Sequence, residues 1–169
     1  MMRGADVVEV VGRLDGAGVR AWLDGGWGVD ALVGDETRDH DDLDVVIALD
    51  DAQAARDALA PLGYALAEDE MPTRFVVRAP GDRRIDFHTV TFDAQGGGVQ
   101  RLQDGSSWRY PPEGFAGVGR VAGHAMRCLT AEVQVRTHVG YDPDDTDRHD
   151  MRLLRDRLGV ALPPPYADG

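Results

Sequence analysis

The chain has 169 residues, with 43% hydrophobic and 28% charged side chains, which is typical of a single globular domain. Its formal net charge is −12, because 30 acidic residues (24 of them Asp) outnumber 18 basic residues that are all arginine. No segment approaches the roughly 20 apolar residues of a membrane span, the N-terminus lacks the apolar core of a signal peptide, and the single Cys128 allows no intramolecular disulfide. We therefore expect a cytoplasmic protein without a membrane partner, and the acidic excess disfavours nucleic acid as a partner.

In chain order, hydrophobic periodicity predicts alternating helices and strands in the first third of the chain, followed by consecutive strands. Gly34 ends the second helix, Thr130 caps the fourth, and Asp142-Pro143 begins the last. The pattern indicates a mixed α/β domain whose C-terminal third is helical. The predicted helices are 6–15, 27–33, 51–62, 130–139 and 142–158, and the predicted strands are 19–23, 43–49, 64–67, 73–78 and 84–90, with short strands and irregular loops between 96 and 128.

The negative charge is concentrated in two short segments. Residues 35–51 hold eight acids and one arginine, a net charge of −7, and residues 142–150 hold five aspartates and one arginine, a net charge of −4. Together they account for 11 of the 12 net negative charges. Such a concentration favours a metal ion or a small basic molecule as ligand. The first segment is therefore the first candidate site.

The sharpest motif is the Asp-x-Asp pair at the start of the predicted strand 43–49. Because alternate side chains of a strand point to the same face, Asp42 and Asp44 face one way while Leu43 and Val45 pack on the other. Two carboxylates on one rigid face repel each other unless a cation lies between them, and phosphoryl-transfer enzymes hold pairs of divalent metals in this way. Hard oxygen ligands favour Mg²⁺, with Mn²⁺ as an alternative, over Zn²⁺. The same spacing also recurs by chance in a chain with 24 aspartates.

A third carboxylate, Asp86, lies inside the predicted strand 84–90, with His88 on the same face. If this strand lies beside strand 43–49, Asp86 completes the metal site and is placed to take a proton from an acceptor hydroxyl. On the pattern alone, an acid with no part in metal binding stays open as the alternative.

Gly25 and Gly26 separate a predicted strand from a predicted helix, where backbone N–H groups and the helix dipole can hold a phosphate. Residues 26–31 also fit the G-x-G-x-x-A pattern of dinucleotide-binding folds. That interpretation is disfavoured, because it leaves the acids at the start of the next strand unexplained and no second βαβ unit follows. A turn with packing glycines, in a chain with 21 Gly, stays open.

Arg38 and His40 precede the Asp-x-Asp pair. If the chain is extended here, both side chains share the face of Asp42 and Asp44. An arginine and a histidine beside metal-binding acids suit a triphosphate, through charge-assisted hydrogen bonds. The alternative is a solvated loop in which Arg38 balances its acidic neighbours.

Taken together, these motifs resemble the small antibiotic nucleotidyltransferases, the lincosamide and aminoglycoside 2″-type adenylyltransferases of the DNA polymerase β-like superfamily. The resemblance covers roughly residues 20–160 and implies an α+β nucleotidyltransferase fold, a mixed β-sheet flanked by helices with a helical C-terminal part. The segments that carry it are Gly25-Gly26-Trp27, Thr37-Arg38-x-His40-x-Asp42-Leu43-Asp44-Val45, Ile85-Asp86-Phe87-His88-Thr89-Val90 with Phe92-Asp93, Gly117-x-Gly119 with Gly123, and His138-x-Gly140-Tyr141 with Asp147-Arg148-x-Asp150.

The resemblance implies that Asp42, Asp44 and Asp86 are catalytic and bind two Mg²⁺, with Asp86 acting as base toward the acceptor hydroxyl. It further implies in-line attack of an antibiotic hydroxyl on the α-phosphorus of ATP or another nucleoside triphosphate, with release of pyrophosphate. Because the chain has no lysine, any cation that touches the triphosphate must be arginine or metal. The residues that would frame the nucleotide are Gly25, Gly26, Arg38 and His40.

The acceptor site is less defined. We expect one domain over 1–169, in which residues 1–95 form the catalytic core with the metal and nucleotide sites and residues 96–169 shape the acceptor site. A chain of this size could need a second subunit, in a homodimer, to close the acceptor pocket. Aromatic and histidine side chains are as typical of a core as of a pocket wall; the candidates for acceptor binding are His88, Trp108, Tyr110, His138 and Tyr141.

Two other functions stay open. A nucleotidyltransferase of the toxin–antitoxin type would modify a protein or a tRNA, although a net charge of −12 argues against tRNA. A non-catalytic member would bind only nucleotide or a partner, although all three acids are present. Within the antibiotic hypothesis, the acidic surface favours a cationic aminoglycoside, whereas the motifs suit lincosamide enzymes equally.

Overall fold

The structure, a computed structural model, describes residues 1–166, so the last three residues of the predicted domain lie outside the described part. The helices are α1 (Gly4–Gly16), α2 (Gly25–Val33), α3 (Ala52–Leu59), α4 (Ala131–Thr137) and α5 (Asp145–Leu158). The strands are β1 (Ala21–Asp24), β2 (Asp42–Ala48), β3 (Ala65–Glu70), β4 (Arg74–Ala79), β5 (Arg83–Phe92), β6 (Gly98–Arg101), β7 (Ser107–Tyr110), β8 (Gly117–Val121) and β9 (His124–Cys128). Short 3₁₀ turns lie at Leu49–Asp51, Ala60–Leu62 and Pro112–Ala116.

The strands form one mixed sheet with the order β3-β4-β5-β2-β1-β9-β8, and β6 joins β5 to β7. Two neighbouring pairs are parallel, β2 with β5 and β1 with β9, and the other pairs are antiparallel. The pairing of β2 with β5 fulfils the condition under which Asp86 lies beside the Asp-x-Asp pair. Because β2 runs antiparallel to β1, no parallel βαβ unit follows the glycines, and the dinucleotide-binding interpretation is wrong.

The two faces of the sheet differ in what covers them. Leu43, Val45 and Ile47 of β2 are fully buried in the main core, together with apolar residues of α1, α2 and α3. Val46, on the opposite face, belongs to a smaller cluster with residues of β1, β5, β7 and α4. Each such buried side chain contributes about 1.5–3 kcal/mol relative to an exposed one. The buried face therefore holds β2 in place. The start of its other face carries the polar residues Asp42 and Asp44.

The C-terminal helices pack on α2 rather than on the sheet alone. Val29 of α2 forms a third apolar cluster with Ala131 and Val135 of α4 and Met151 and Leu154 of α5. This packing brings the far end of the chain to the glycine turn at the start of α2. Among the described residues, the helices are too short or too polar to cross a lipid bilayer.

Several predicted boundaries are wrong for local hydrogen-bonding reasons. Helix α2 begins at Gly25 rather than at 27, because the Asp24 carboxylate accepts a hydrogen bond from the Gly25 N–H at 2.8 Å. Helix α5 begins at Asp145 rather than at 142, because Asp144 and Asp147 cap each other reciprocally. Thr130 does lie at the cap position of α4, but its side chain makes no cap hydrogen bond. The predicted helix 51–62 is a short α3 between two 3₁₀ turns.

Candidate active site

Three aspartates form a row across three adjacent strands. Asp44 of β2 lies opposite Asp24 of β1 in the antiparallel register and opposite Asp86 of β5 in the parallel register. Because side chains alternate along each strand, all three lie on the face away from the main core, where Val46 also lies. The sheet register alone therefore gathers carboxylates that are far apart in the sequence.

Asp44, Asp86 and His88 could hold a metal ion, because one ligand atom from each lies within 4.8 Å of the others. Asp86 Oδ2 accepts a hydrogen bond from Arg74 at 2.8 Å, whereas the buried Asp86 Oδ1 has no hydrogen-bond partner. An unpartnered, buried carboxylate oxygen is costly unless a cation or proton satisfies it. The oxygen donors of this set fit Mg²⁺ or Mn²⁺.

Asp42 lies beside that group without belonging to it. Its Oδ2 is 3.4 Å from Arg84 Nη1, and the register places it opposite Arg84 on β5. We refer to Asp42, Asp44, Asp86 and His88 as the carboxylate cluster. Asp42, Asp44 and Asp86 thus lie together, as the sequence predicts. Asp44 lies beside His88, whereas Asp42 lies beside Arg84.

The pKa values of this cluster reflect burial and like charge. Burial raises the pKa of Asp86 above its ordinary value, and burial together with the charge of Asp44 raises that of Asp42. Burial and Asp44 also raise the pKa of Asp24, in spite of its hydrogen bond from Gly25. Burial lowers the pKa of His88, but the Asp44 carboxylate, 3.7 Å away, and the neighbouring aspartates outweigh it and raise the pKa to about 9. A bound cation would therefore offset the burial and the mutual repulsion that raise the pKa values of these carboxylates.

The turn at Gly25-Gly26 connects this cluster to a second group of polar residues. A Cβ atom at Gly25, whose φ is +56°, would meet the Asp44 carboxylate, and one at Gly26 would collide with the Arg38 guanidinium and the His40 ring. Only glycine permits this close approach of the backbone to both groups. The half-buried start of α2 thus lies between Asp44 on one side and Arg38 on the other.

We refer to Asp30, Thr37, Arg38, His40 and Asp150 as the Arg38 cluster. The Asp30 carboxylate accepts hydrogen bonds from the Thr37 backbone at 3.0 Å and the Thr37 hydroxyl at 2.6 Å, and it lies 2.6 Å from His40 Nε2. Burial raises the pKa of Asp30, but the hydrogen bonds from His40 and Thr37 outweigh it and lower the pKa below the ordinary value. Arg38 binds both oxygens of Asp150, at 3.0 and 2.7 Å.

The expectation that Arg38 and His40 share the strand face of Asp42 and Asp44 is wrong. Strand β2 begins only at Asp42, and the His40 ring packs on Trp27 with ring centroids 4.4 Å apart. The ring turns toward α2 because Asp30 offers it a buried acceptor, and His40 is only 3% exposed. Both side chains nevertheless lie against Gly26, at the start of α2.

A cleft of about 410 Å³ opens beside the carboxylate cluster. Four of the five candidate acceptor residues line it; they are His88, Trp108, Tyr110 and His138. Tyr141 does not line this cleft; it is 49% exposed, and its hydroxyl donates a hydrogen bond to Asp147 at 3.1 Å. The remaining lining residues are Asp24, Gly25, Asp44, Thr73, Arg74, Gln100, Leu102, Arg136, Thr137 and Val139.

Sequence reasoning missed Asp24, Arg74 and Arg136. Asp24 resembles a turn residue before two glycines, and its position at the end of an apolar strand was the one available signal. Arg74 reaches Asp86 because β4 pairs with β5, a register that hydrophobic pattern does not fix. Arg136 lies over the Trp108 ring at 5.6 Å, and no local motif marks it.

Comparison with known proteins places this geometry in a family. Residues 6–154 match the sequence model of the aminoglycoside-2''-adenylyltransferase family. The chain belongs to this family. It is accordingly a nucleotidyltransferase, and the α+β nucleotidyltransferase fold expected from the sequence is confirmed.

Relatives of this family member support the assignment. A lincosamide resistance protein of Staphylococcus haemolyticus is 29% identical over 137 residues, which cover 81% of this chain and 84% of the relative. The crystal structure of the lincosamide antibiotic adenylyltransferase LnuA, bound to lincomycin, is 27% identical, with a TM-score of 0.79 and coverage of 89% of this chain and 94% of LnuA. The structure of ANT(2")-Ia with adenylyl-2"-tobramycin, 21% identical with a TM-score of 0.72 and coverage of 92% and 89%, shares the fold.

Proposed function

We propose that the protein transfers an adenylyl group from ATP to a hydroxyl group of a small antibiotic and releases pyrophosphate, in a Mg²⁺-dependent reaction. The observation that carries the proposal is the row of carboxylates at the edge of a cleft that can hold a small molecule. Membership of an adenylyltransferase family supports the reaction class. In this proposal residues 1–95 supply the metal and nucleotide sites. Residues 96–166 supply most of the cleft-lining residues that lie outside the row of carboxylates.

Asp42, Asp44 and Asp86 would hold two Mg²⁺ ions, with Asp86 Oδ1 as the oxygen that the protein itself leaves unsatisfied. When bound, the ions neutralise phosphate charge and stabilise the charge that develops during phosphoryl transfer. Arg74 binds the other oxygen, Oδ2, and so fixes the orientation of the Asp86 carboxylate.

Asp86 is also the base in this proposal. The acceptor hydroxyl oxygen forms a bond to the α-phosphorus of ATP, the bond from the α-phosphorus to the bridging oxygen of pyrophosphate breaks, and the hydroxyl proton moves to Asp86. The hydroxyl reaches Asp86 from the cleft, whose nearest lining residues, Asp44, Arg74 and His88, all contact or adjoin this carboxylate.

The triphosphate would lie along the start of α2, beside the Arg38 guanidinium that contacts Gly26, where backbone N–H groups and the helix dipole favour negative charge. Arg38 supplies the positive charge beside Gly26. His40 is buried and bonded to Asp30, so we assign it to holding this segment in place rather than to direct phosphate contact.

The lining of the cleft supports a lincosamide as the acceptor rather than an aminoglycoside. Its wall contains Leu102, Trp108 and Val139 and the two arginines Arg74 and Arg136, whereas its acids, Asp24 and Asp44, lie in the carboxylate row. Arg74 is paired with Glu70 and Asp86, but a polycation would meet Arg136, and like charge across an interface disfavours binding. An amphiphilic molecule with few positive charges fits this wall better, although the whole chain is acidic.

A pyrophosphate-release assay with ATP and Mg²⁺ tests both parts of the proposal. We expect lincomycin to be turned over with a kcat/KM at least about tenfold above that of tobramycin, because one unfavourable charge contact costs on the order of 1.4 kcal/mol or more. Mass spectrometry should show one added adenylyl group on the drug. The Asp86→Asn variant should fold and lose this turnover.

Each other outcome has a distinct meaning. Preference for tobramycin would overturn the acceptor class while leaving the reaction intact. Adenylylation of a cellular protein or a tRNA in a lysate, with neither drug modified, would support the toxin–antitoxin alternative. Binding of ATP without transfer to any acceptor would support the non-catalytic alternative.

A further inference from the structure

The acidic segment 142–150 contains a buried aspartate, Asp150, that takes no part in capping the helix. Asp144 and Asp147 cap α5, and Tyr141 donates to Asp147. Asp150 lies one turn further along, is only 1% exposed, and binds Arg38 across 112 residues of sequence. A buried carboxylate requires such a partner, because burying an unpaired charge is costly.

Arg38 is held by this contact in a defined orientation. Its Nε and Nη2 donate to the two oxygens of Asp150, and its Nη1 donates to the Asp39 carbonyl at 3.1 Å. A Cβ atom at Gly26 would collide with the same Nη2, so the guanidinium lies directly against the start of α2. The Arg38 side chain remains 24% exposed, which leaves part of it accessible to a ligand.

Helix α5 fixes this segment at a second point. His149, the neighbour of Asp150, lies with its Nε2 3.2 Å from the Thr37 hydroxyl, and Thr37 in turn binds Asp30 of α2. Two consecutive residues of α5 thus hold two consecutive residues, Thr37 and Arg38, of the loop before β2.

We propose that Asp150 is a positioning residue for the nucleotide triphosphate: by its bidentate bond it holds Arg38 against Gly26, so that the guanidinium faces phosphate groups lying along the start of α2. The proposal rests on the proposed function, in which Arg38 contacts the triphosphate. An unrestrained arginine would lose side-chain entropy on binding phosphate, and Asp150 removes that cost beforehand. Helix α5 then serves the nucleotide site, in addition to any role beside the acceptor.

Equilibrium binding of ATP and of AMP, each with Mg²⁺ and without acceptor, tests the proposal. In Asp150→Asn we expect ATP affinity to fall about tenfold and AMP affinity to change by less than about twofold, because only the distal phosphates reach Arg38. The matched control is Asp156→Asn, an exposed aspartate of the same helix that bonds its neighbour Arg155, and it should bind both nucleotides normally.

A double variant separates positioning from general destabilisation. If Asp150 acts through Arg38, Asp150→Asn should cost no further ATP affinity in an Arg38→Gln background. Additive losses, or equal losses for ATP and AMP, would show a structural role only and overturn the proposal. If Asp150→Asn does not fold, Arg38→Lys, which cannot form the bidentate bond, should lower the ratio of ATP to AMP affinity at least about fivefold, and an unchanged ratio would overturn it. Failure of the wild-type protein to bind ATP would instead refute the proposed function.

Discussion

The carboxylate cluster and the Arg38 cluster lie on the two sides of the Gly25-Gly26 turn and both contain aspartates and a histidine, but they differ in how their carboxylates are satisfied. In the Arg38 cluster, Asp30 and Asp150 each have both oxygens bonded within the described structure. In the carboxylate cluster, Asp86 Oδ1 has no partner. The pKa of Asp30 is lowered, whereas the pKa values of Asp42 and Asp86 are raised. The Asp30 and Asp150 carboxylates of the Arg38 cluster are satisfied within the protein, whereas Asp86 of the carboxylate cluster has one oxygen without a partner.

The largest expected effect of this difference is on activity. Replacing Asp44→Asn should lower kcat for pyrophosphate release by about 10²–10³-fold, because in the proposed function it removes a charged group that would bind and orient the metal. We expect Mg²⁺ to raise the melting temperature of the wild type by binding the folded state, and this variant should lose that rise. Exposed Asp50, which follows the other end of β2, provides the matched Asp50→Asn control with normal activity and a normal Mg²⁺ response.

The stability of the protein should depend more on the Arg38 cluster than on the carboxylate cluster, which is the reverse of the expectation for activity. Asp30→Asn should lower the free energy of unfolding by about 2–3 kcal/mol, because it disrupts a buried, fully bonded carboxylate. Asp42→Asn should leave the metal-free protein unchanged or slightly more stable, because it removes a partly buried charge and its repulsion by Asp44. Urea unfolding in EDTA at pH 7, with m-values compared to check the two-state assumption, gives both numbers. Equal destabilisation by the two variants would refute the distinction between the clusters.

The smallest effect concerns pH, and the two clusters should respond with opposite sign. Because the folded pKa of Asp42 is raised, its contribution favours folding at low pH and is lost as the pH rises from the ordinary value of 3.8 through the raised one. Because the folded pKa of Asp30 is lowered, its contribution is present above 3.8 and is lost as the pH falls through the lowered value. In EDTA, Asp42→Asn should therefore flatten the stability curve above about pH 4, and Asp30→Asn only below it. The Asp42 effect is small, since its side chain is 36% exposed and solvent screens it.

The sequence predicts much of the carboxylate cluster because its residues lie on strands of clear pattern. Alternation in β2 separates Asp42 and Asp44 from Leu43 and Val45, and the structure places the second pair in the main core. Asp86 joins them because two strongly apolar strands pair in parallel, which the sequence allowed but did not require. The position of His88 beside Asp44 follows from the same register.

The Arg38 cluster is less predictable, because its contacts cross between helices and a loop. Asp30 looks like one polar residue of an amphipathic helix, and Asp150 like one more acid near a helix start. Asp150 lies beside Arg38 only because α5 packs on α2. The hydrophobic pattern of α5 predicts that it has an apolar face, but not which helix that face packs against. The orientation of His40 toward Trp27 depends on the same packing.

The parallel pairing of β1 with β9 has a consequence for how the chain is made. Leu23 of β1 pairs with Cys128 of β9, which follows it by roughly 100 residues. This edge of β1 therefore stays unpaired until β9 has been synthesised. At the usual elongation rate of about 5–20 residues per second, β1 emerges from the ribosome about 5–20 s before its second neighbour. During that interval the apolar edge of β1 has unpaired backbone groups that another nascent chain could join. We expect chaperone binding during synthesis to concentrate on this strand, and solubility to depend on how fast the residues from β2 to β9 are translated.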